Sequence, residues 1–259
     1  MDSLRAMDVA REAARQGGAA ALRHWRTALP VDWKADQTPV TAADRESEAA
    51  ILAAIRAAFP DHAILAEESG VVGGPSEWRW IVDPLDGTRG FSRGGTFWGP
   101  LVALEHAGQV VAGAMGLPAL DTLYWAGQGH GAWRNGERVR LPAAPERWDE
   151  ATLSLGEMKA LFTSPWADTV RALVTGAASA RGYGDVAGCA MLLDGRADAW
   201  LETGVKAWDL AALEVLVREA GGAFTAFDGG PAVPAGQAVA AAPALHRRLV
   251  DALTSGRRA

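Results

Sequence analysis

The sequence predicts an α+β fold built as a layered sandwich of helices and sheets. Three observations lead to that prediction. Amphipathic helical segments open the chain, a run of short apolar strands follows them, and helices alternate with strands in the second half. The chain has 259 residues, of which 49% are hydrophobic, and this is ample for a buried core. We expect one domain over residues 1–259, with an α+β half to about residue 145 and an α/β half over about 146–259.

Two helices are predicted near the amino terminus. The first covers residues 3 to about 29, where apolar side chains recur at helical spacing, and Pro30 ends it. Thr41 is a good N-cap for the second helix, and Asp44, three residues later, makes a short variant of the capping box. Pro60 closes this second helix.

The rest of the chain predicts two groups of strands, with helices between the strands of the second group. Asn135-Gly136 is the strongest short hairpin signal and predicts paired strands within 130–141. We expect at least four antiparallel strands in the first half and an amphipathic helix over 208–220 in the second. The other predicted strands are 63–66, 80–82, 97–104, 110–116, 122–126, 152–155, 197–201, 223–227 and 238–241, and the other predicted helices are 165–175, 185–194 and 243–254.

Charge and cysteine content exclude several classes of function. Lys and Arg number 25 against 31 Asp and Glu, so the formal net charge of −6 excludes nucleic-acid binding by bulk charge. Cys189 is the single cysteine, which excludes an intrachain disulfide and a cysteine-based zinc site and favours a reducing compartment. The amino terminus has no apolar signal core, and no apolar run has the length of a membrane span. We therefore expect a cytoplasmic protein without a nucleic-acid or membrane partner.

Residues 83–88, Asp-Pro-Leu-Asp-Gly-Thr, carry the strongest chemical signal. They follow an apolar strand, which we expect to end at Pro84 because proline cannot donate a hydrogen bond to a sheet. The carboxylates of Asp83 and Asp86 can then converge with the Leu85 carbonyl, and three hard oxygen ligands suit Mg²⁺. A surface turn is the alternative interpretation.

The spacing of the two aspartates separates this motif from a similar one. Aspartyl-phosphate phosphatases use two aspartates one residue apart before Gly-Thr, the first of them as the nucleophile. Two residues separate Asp83 from Asp86, which argues against a covalent aspartyl intermediate and for a metal-activated water. Two further carboxylates stand at the ends of predicted elements, Glu67 after a strand and Asp209 at the start of a helix. For Asp209 alone, a helix cap is the alternative role.

Three separated motifs resemble the signatures of the inositol monophosphatase family and occur in the same order. They are Glu-Glu-Ser at 67–69, Trp-Ile-Val-Asp-Pro-Leu-Asp-Gly-Thr at 80–88, and Trp-Asp-Leu-Ala-Ala at 208–212 followed by Glu-Ala-Gly-Gly at 219–222. The amino-terminal stretch of the family is similar at Lys34, Asp36, Thr41 and Asp44. The resemblance covers about residues 5–250. It implies an αβαβα sandwich of the inositol monophosphatase and fructose-1,6-bisphosphatase type, a homodimer, and Mg²⁺-dependent hydrolysis of a phosphate monoester.

The resemblance also implies a role for each matching residue. Glu67, Asp83 and the Leu85 carbonyl would hold a first Mg²⁺, and Asp83, Asp86 and Asp209 a second. A third, weaker ion would lie near Glu67 through waters. Glu67, Asp44 and Thr88 would be the catalytic residues, with Thr88 and Asp44 orienting the attacking water. Asp86, Gly87 and Thr88 would bind the substrate, with the backbone N–H groups of Gly87 and Thr88 on the phosphate, and Glu202 would contact a hydroxyl group of the substrate.

Residues 181–185, Arg-Gly-Tyr-Gly-Asp, indicate which ester is the substrate. They resemble the histidinol-phosphate phosphatases of the family, whereas general inositol phosphatases commonly carry a small or hydroxylic residue at the position of Asp185. The Asp185 carboxylate is suited to pair with the cationic amine of histidinol phosphate, and a helix cap is its alternative role. Inositol phosphate and a broad range of sugar phosphates stay open as substrates. A non-catalytic, regulatory binding role also stays open, although the chain keeps every expected metal ligand.

Overall fold

A computed structural model of the chain describes residues 3–27, 30, 32, 33 and 39–256, without the side chains of Trp33, Pro39 and Asp185. Lys34 and Asp36, which the resemblance singles out, lie outside the described residues.

Helices and strands alternate along most of the described chain. The helices are α1 (Ser3–Leu22), α2 (Ala42–Ala58), α3 (Thr88–Phe91), α4 (Met158–Thr163), α5 (Ala167–Gly176), α6 (Asp185–Leu193), α7 (Ala207–Glu219), α8 (Ala232–Ala235) and α9 (Pro243–Ser255). The strands are β1 (Asp32–Trp33), β2 (Pro39–Val40), β3 (Ala63–Ala66), β4 (Gly70–Val72), β5 (Trp78–Asp86), β6 (Gly99–His106), β7 (Gln109–Leu117), β8 (Thr122–Gly127), β9 (Gly131–Arg134), β10 (Glu137–Val139), β11 (Thr152–Leu155), β12 (Ser179–Gly182), β13 (Ala199–Thr203), β14 (Ala223–Thr225) and β15 (Gln237–Ala241).

The strands form two large sheets stacked between helices, which confirms the predicted layered α+β fold. The first sheet has the order β10-β9-β8-β7-β6-β5-β3-β4 and is antiparallel except for the parallel pair β3 and β5. The second sheet has the order β12-β11-β13-β15-β14. Helices α1 and α2 cover the outer face of the first sheet, and α6 and α7 lie between the sheets. Helices α4, α5 and α9 cover the outer face of the second sheet, so the layers alternate αβαβα.

Helix α7 is buried on all sides, which corrects the expectation that it is amphipathic. Every residue over 210–217 is buried, because one side of the helix packs on the first sheet and the other side on the second. A helix that is covered all round needs no polar face. The core around α7 contains side chains from both predicted halves of the chain, such as Leu101 and Phe224. On this ground we propose that the chain forms one domain.

Most of the predicted elements are confirmed, two expectations about where elements end are wrong, and some short elements, among them α4, were not predicted. Helix α1 ends at Leu22 rather than near residue 29, and Trp25 leaves the helix to donate its indole N–H to the Gly95 carbonyl at 2.7 Å. Pro84 does not end β5, which continues to Asp86 through a β-bulge where no hydrogen-bond donor is needed. The predicted helix 165–175 is preceded by a separate helix, α4, that the sequence pattern did not indicate.

The predicted hairpin and capping box are both present. Asn135 and Gly136 both have positive φ, the backbone that a tight two-residue hairpin requires, and β9 pairs with β10 across them. At the start of α2, the Thr41 side chain accepts a hydrogen bond from the Ala43 N–H, and the Asp44 carboxylate accepts one from the Thr41 N–H.

Close packing of α7 on the first sheet predicts a large effect for a side chain at Gly113 in β7. A Cβ atom there would lie 2.9 Å from Val215 Cγ1 and 3.1 Å from Ala212 Cα. We expect Gly113→Val to lower the free energy of unfolding by about 1–3 kcal/mol, as overpacking usually does. Urea unfolding measures this. Gly74→Ala is the control, since a Cβ at Gly74 meets nothing within 4 Å, and equal effects of the two substitutions would contradict the packing argument.

Candidate active site

Three carboxylates from two different elements meet at the carboxyl end of β5, an internal strand of the first sheet. Asp83 and Asp86 come from β5, and Asp209 comes from the first turn of α7. Each of the three offers an oxygen atom, and these oxygen atoms all lie within 4.8 Å of one another. Asp209, which lies 123 positions after Asp86 in the chain, therefore joins the other two in one cluster. We define Asp83, Asp86 and Asp209 as the acidic cluster.

The bulge in β5 brings the first two carboxylates together. Asp83 pairs with Leu101, and Asp86 pairs with Gly99, so three steps along β5 match two steps along β6. In a regular strand, residues three positions apart point to opposite faces of the sheet. The extra residue of the bulge cancels that difference and places Asp83 and Asp86 on the same side. Within the bulge, the Pro84 carbonyl accepts a hydrogen bond from Ser47 Oγ of α2 at 2.7 Å.

The third carboxylate is held by the backbone at the start of α7. Asp209 Oδ2 accepts a hydrogen bond from the N–H of Lys206, the N-cap residue, at 2.6 Å. The helix-cap role that was the alternative for Asp209 is therefore real, and the same side chain also belongs to the acidic cluster. The cap bond uses one oxygen and fixes the direction of the other.

Burial makes this concentration of negative charge unfavourable. Asp83 is 2% exposed, and its burial raises its pKa well above the usual range, with the charges of Glu67 and Asp86 adding to the effect. Burial also raises the pKa of Asp209 to about 6. A divalent cation would neutralise the cluster, and a donor set made of carboxylates and a backbone carbonyl fits the preference of Mg²⁺ for oxygen.

Glu67 and the Leu85 carbonyl lie close to the acidic cluster. The Glu67 N–H donates to the Val82 carbonyl at 3.1 Å, which extends the pairing of β3 with β5 by one residue. Glu67 and Leu85 line the same cavity as the three aspartates, and the charge of Glu67 acts on both Asp83 and Asp209. The structure thus brings together all five residues that the sequence relates to metal binding.

Thr88 and Asp44 form a hydrogen-bonded pair beside these residues. Thr88 is the first residue of α3 and follows Gly87, whose φ of +85° favours glycine. Thr88 Oγ1 lies 3.0 Å from Asp44 Oδ1 and 3.0 Å from the Leu85 carbonyl oxygen. Asp44 is buried, which raises its pKa, and its Oδ2 accepts from the N–H and the hydroxyl of Thr41 at 2.7 and 2.6 Å.

A cavity of about 420 Å³ opens over the acidic cluster. The loop at the end of β5 forms one part of its wall, including Gly87 and Thr88, and the second sheet forms another part. Two cationic residues, Arg89 and Lys206, also line it. Asp44 does not line the cavity, because it lies behind Thr88.

Glu202 of β13 is the predicted substrate contact in the wall from the second sheet. Its Oε1 accepts from the N–H groups of Glu157 and Thr203 at 2.7 and 2.9 Å. Its Oε2 lies against Gly156, where an added Cβ would be only 1.6 Å away, so glycine is required there. Asp185 begins α6 next to the same wall, and its side chain lies outside the described residues.

Sequence reasoning pointed to residues 181–185 and Glu202 in the wall from the second sheet and missed the part at the start of α4. Glu157 and Met158 lie there, in a short element whose sequence has little periodicity. Glycines at 156, 182 and 184 are the signal that was available, because glycine often marks a close approach of the backbone to a ligand.

None of the helices in the described ranges has the length and apolar character needed to span a membrane.

Comparisons with known proteins find a matching family and relatives along most of the chain. The model of the inositol monophosphatase family matches residues 3–257. The chain is 36% identical to a histidinol-phosphatase of Chlorobaculum parvum, covering 97% of this chain and 98% of that one, and 35% identical to a histidinol-phosphatase of Mycobacterium tuberculosis, covering 88% and 89%. It is 36% identical to an inositol-1-monophosphatase of Mesorhizobium japonicum, covering 87% and 86%. Among solved structures, the extragenic suppressor protein suhB of Bartonella henselae matches with a TM-score of 0.89 and 32% identity, covering 97% and 99%.

The charge of the acidic cluster predicts how its metal affinity responds to substitution. Asp86→Asn removes one carboxylate and relieves repulsion, so we expect an intact fold and weaker stabilisation by Mg²⁺. A ligand at a hundredfold excess over its Kd stabilises a protein by about 2.7 kcal/mol, and the variant should gain less than the unsubstituted protein at the same concentration. Urea unfolding with and without Mg²⁺ measures both values. Asp251→Asn, at an exposed position in α9, is the control, and an equal Mg²⁺ effect in all three proteins would contradict the site.

Proposed function

Because the chain belongs to the inositol monophosphatase family and is a phosphatase, we propose that its substrate is histidinol phosphate. One observation supports this proposal most directly. The cavity that contains the acidic cluster is also lined by Glu157 and Glu202, which the metal ligands do not need. The negative charge of Glu157 and Glu202 favours a phosphate ester whose organic part carries a cationic amine.

Catalysis depends first on the residues that would hold the metal. We assign Glu67, Asp83 and the Leu85 carbonyl to one Mg²⁺, and Asp83, Asp86 and Asp209 to a second, with Glu67 near a third. Divalent cations, when bound, neutralise the phosphoryl oxygens and stabilise the leaving oxygen. Asp86→Asn should therefore lower turnover by orders of magnitude, and near-normal turnover would contradict the assignment.

Thr88 and Asp44 are assigned to the attacking water. Thr88 Oγ1 donates a hydrogen bond to Asp44 Oδ1, which leaves lone pairs of the Thr88 oxygen free to accept a hydrogen bond from the water. Asp44 itself cannot rotate freely, since its Oδ2 holds two hydrogen bonds from Thr41. The water is thereby oriented toward the phosphorus atom by a fixed pair of side chains. The N–H groups of Gly87 and Thr88 are assigned to the phosphate, and Asp86 is assigned to substrate binding as well as to the metal.

The substrate itself is proposed from two kinds of support. Relatives named histidinol-phosphatase match nearly the whole chain. In this chain, residues 182–184 line the cavity and lead directly into Asp185, the residue whose carboxylate is proposed to bind the amine. The cytoplasmic location and the homodimer stay predictions from the sequence.

Hydrolysis of inositol 1-phosphate is the second candidate. It is favoured by the relative named inositol-1-monophosphatase, whose identity to this chain is as high as that of the histidinol-phosphatases. A broad sugar-phosphate activity belongs to the same class. The likeness to a protein named extragenic suppressor protein suhB leaves a regulatory binding role as a third candidate, and the intact set of carboxylates speaks for catalysis instead.

The hydrogen bond between Thr88 and Asp44 predicts that removal of the Thr88 hydroxyl has a large effect on catalysis. Thr88→Ala should lower kcat by about 10²–10⁴-fold, the usual contribution of positioned proton transfer, with little change in the Mg²⁺ stabilisation. Thr88→Ser keeps the hydroxyl and is the matched control, with most of the activity retained. Steady-state phosphate release measures kcat. If Thr88→Ala and Thr88→Ser lose equal activity, the hydroxyl has no part in the reaction.

The substrate proposal predicts which phosphate ester in a small panel is hydrolysed best. We expect Mg²⁺-dependent phosphate release to favour histidinol phosphate over myo-inositol 1-phosphate, fructose 1,6-bisphosphate and adenosine 3′,5′-bisphosphate. Asp185→Ser should raise KM for histidinol phosphate by about two- to tenfold, the range for an ion pair, without changing KM for the uncharged esters. Equal effects on all esters would make Asp185 a helix cap. Preference of the unsubstituted protein for inositol phosphate would overturn the proposed substrate.

A further inference from the structure

Large apolar side chains are exposed to solvent beside the cavity. Phe97 is 37% exposed and Met158 is 46% exposed. Met158 lines the cavity together with Tyr183, and the ring of Phe97 meets the ring of Tyr183 edge to face, with centroids 6.3 Å apart and planes at 77°. Single exposed apolar residues need no explanation, but a group of them around a cavity marks a binding surface. We define Phe97, Met158 and Tyr183 as the aromatic rim.

The backbone around the aromatic rim holds its side chains in place. Tyr183 lies between two glycines, and Gly184 has a φ of +67°, which favours glycine. Met158 packs on the bare Cα of Gly182, where an added Cβ would lie 2.5 Å from its Sδ. Phe97 comes from the segment before β6 of the first sheet and does not line the cavity, whereas Met158 and Tyr183 line it from the segments that follow β11 and β12 of the second sheet. The rim therefore joins segments from both sheets at the mouth of the site.

The chemistry of the rim and of its neighbours selects for one type of substrate. Aromatic faces and a thioether attract the face of a planar ring, and the Tyr183 hydroxyl is the one hydrogen-bonding group that the three rim side chains offer to a polyol. Glu157 and Glu202 lie on the same wall and favour a cationic group next to that ring. A ligand that joins a phosphate, an amine and a flat ring matches all three parts of the cavity.

We propose that the aromatic rim binds the imidazole ring of histidinol phosphate and determines the preference for a ring-bearing ester, a proposal that rests on the proposed function. Tyr183 and Met158 contact the ring. Phe97 is a positioning residue that acts through its edge-to-face contact with Tyr183. The rim acts on binding and leaves the hydrolytic step at the acidic cluster unchanged.

The test compares two substrates that differ only in the ring. Histidinol phosphate and 2-aminopropyl phosphate share the amine and the phosphate, and only the first carries the imidazole. Tyr183→Leu should raise KM for histidinol phosphate by about three- to tenfold, the value of an aromatic pair, with kcat and the KM for 2-aminopropyl phosphate unchanged. Tyr183→Phe retains the ring and should keep the original KM. Leu120→Ser, at an exposed apolar residue that does not line the cavity, should change neither substrate.

Failure of the rim and failure of the proposed function give different results. If Tyr183→Leu weakens both substrates equally, the rim proposal is wrong and the proposed function stands. If the unsubstituted protein does not prefer histidinol phosphate, the proposed substrate is wrong. The rim is then judged with 2-phenylethyl phosphate against ethyl phosphate, where a ring preference that Tyr183→Leu abolishes supports it and no ring preference overturns it.

Phe97 is tested separately, because an exposed aromatic side chain can also join two copies of a chain. Phe97→Leu should raise KM for histidinol phosphate in the same direction as Tyr183→Leu and to a smaller extent, with an unchanged mass in solution. A changed mass with an unchanged KM would assign Phe97 to a contact between copies and remove it from the rim.

Discussion

Mutual repulsion among the buried Asp83 and the half-buried Asp86 and Asp209 of the acidic cluster is the constraint on which the rest of the structure depends. Asp83, Asp86 and Asp209 place oxygen atoms within 4.8 Å of one another, and burial raises the pKa of Asp83 and Asp209. Such an arrangement is unfavourable by itself, so it must be held by packing elsewhere. Helix α7 supplies that packing, because its residues 210–217 are all buried between the two sheets. The close contact of α7 with Gly113 then determines where Asp209 lies.

The carboxylates of the site also stabilise the local backbone. Asp209 accepts the cap bond of α7, Asp44 accepts the cap bond of α2, and Glu202 accepts two N–H groups at the end of β13. In each case the backbone occupies one oxygen atom and thereby fixes the direction of the other. A group that is already oriented loses little freedom when it binds a cation, a hydroxyl or a substrate. The same hydrogen bonds thus account for the helix ends and for the preorganisation of the site.

The two sheets contribute different parts of the site. The first sheet carries the proposed metal ligands Glu67, Asp83, Leu85 and Asp86 at the ends of β3 and β5, together with Thr88, and α7 carries Asp209. The second sheet carries the wall that faces the rest of the substrate, built from the segments after β11, β12 and β13. Glycines in this wall bring backbone and side chains into contact, as Gly156 does for Glu202 and Gly182 does for Met158. Because four of the five proposed metal ligands lie on the first sheet, the wall near α4 and β12 can change its chemistry without disturbing them.

The sequence by itself determined the fold class, most elements and the carboxylates of the acidic cluster, because these depend on patterns within short segments. The capping box at Thr41, the turn at Asn135 and the motif at residues 83–88 are all local. Only the tertiary structure decided what depends on contacts between distant segments: the bulge that turns Asp86 to the side of Asp83, the full burial of α7, and the contact of Phe97 with Tyr183. Sheet pairing and side-chain packing set these features, and neither leaves a periodic signal in the sequence.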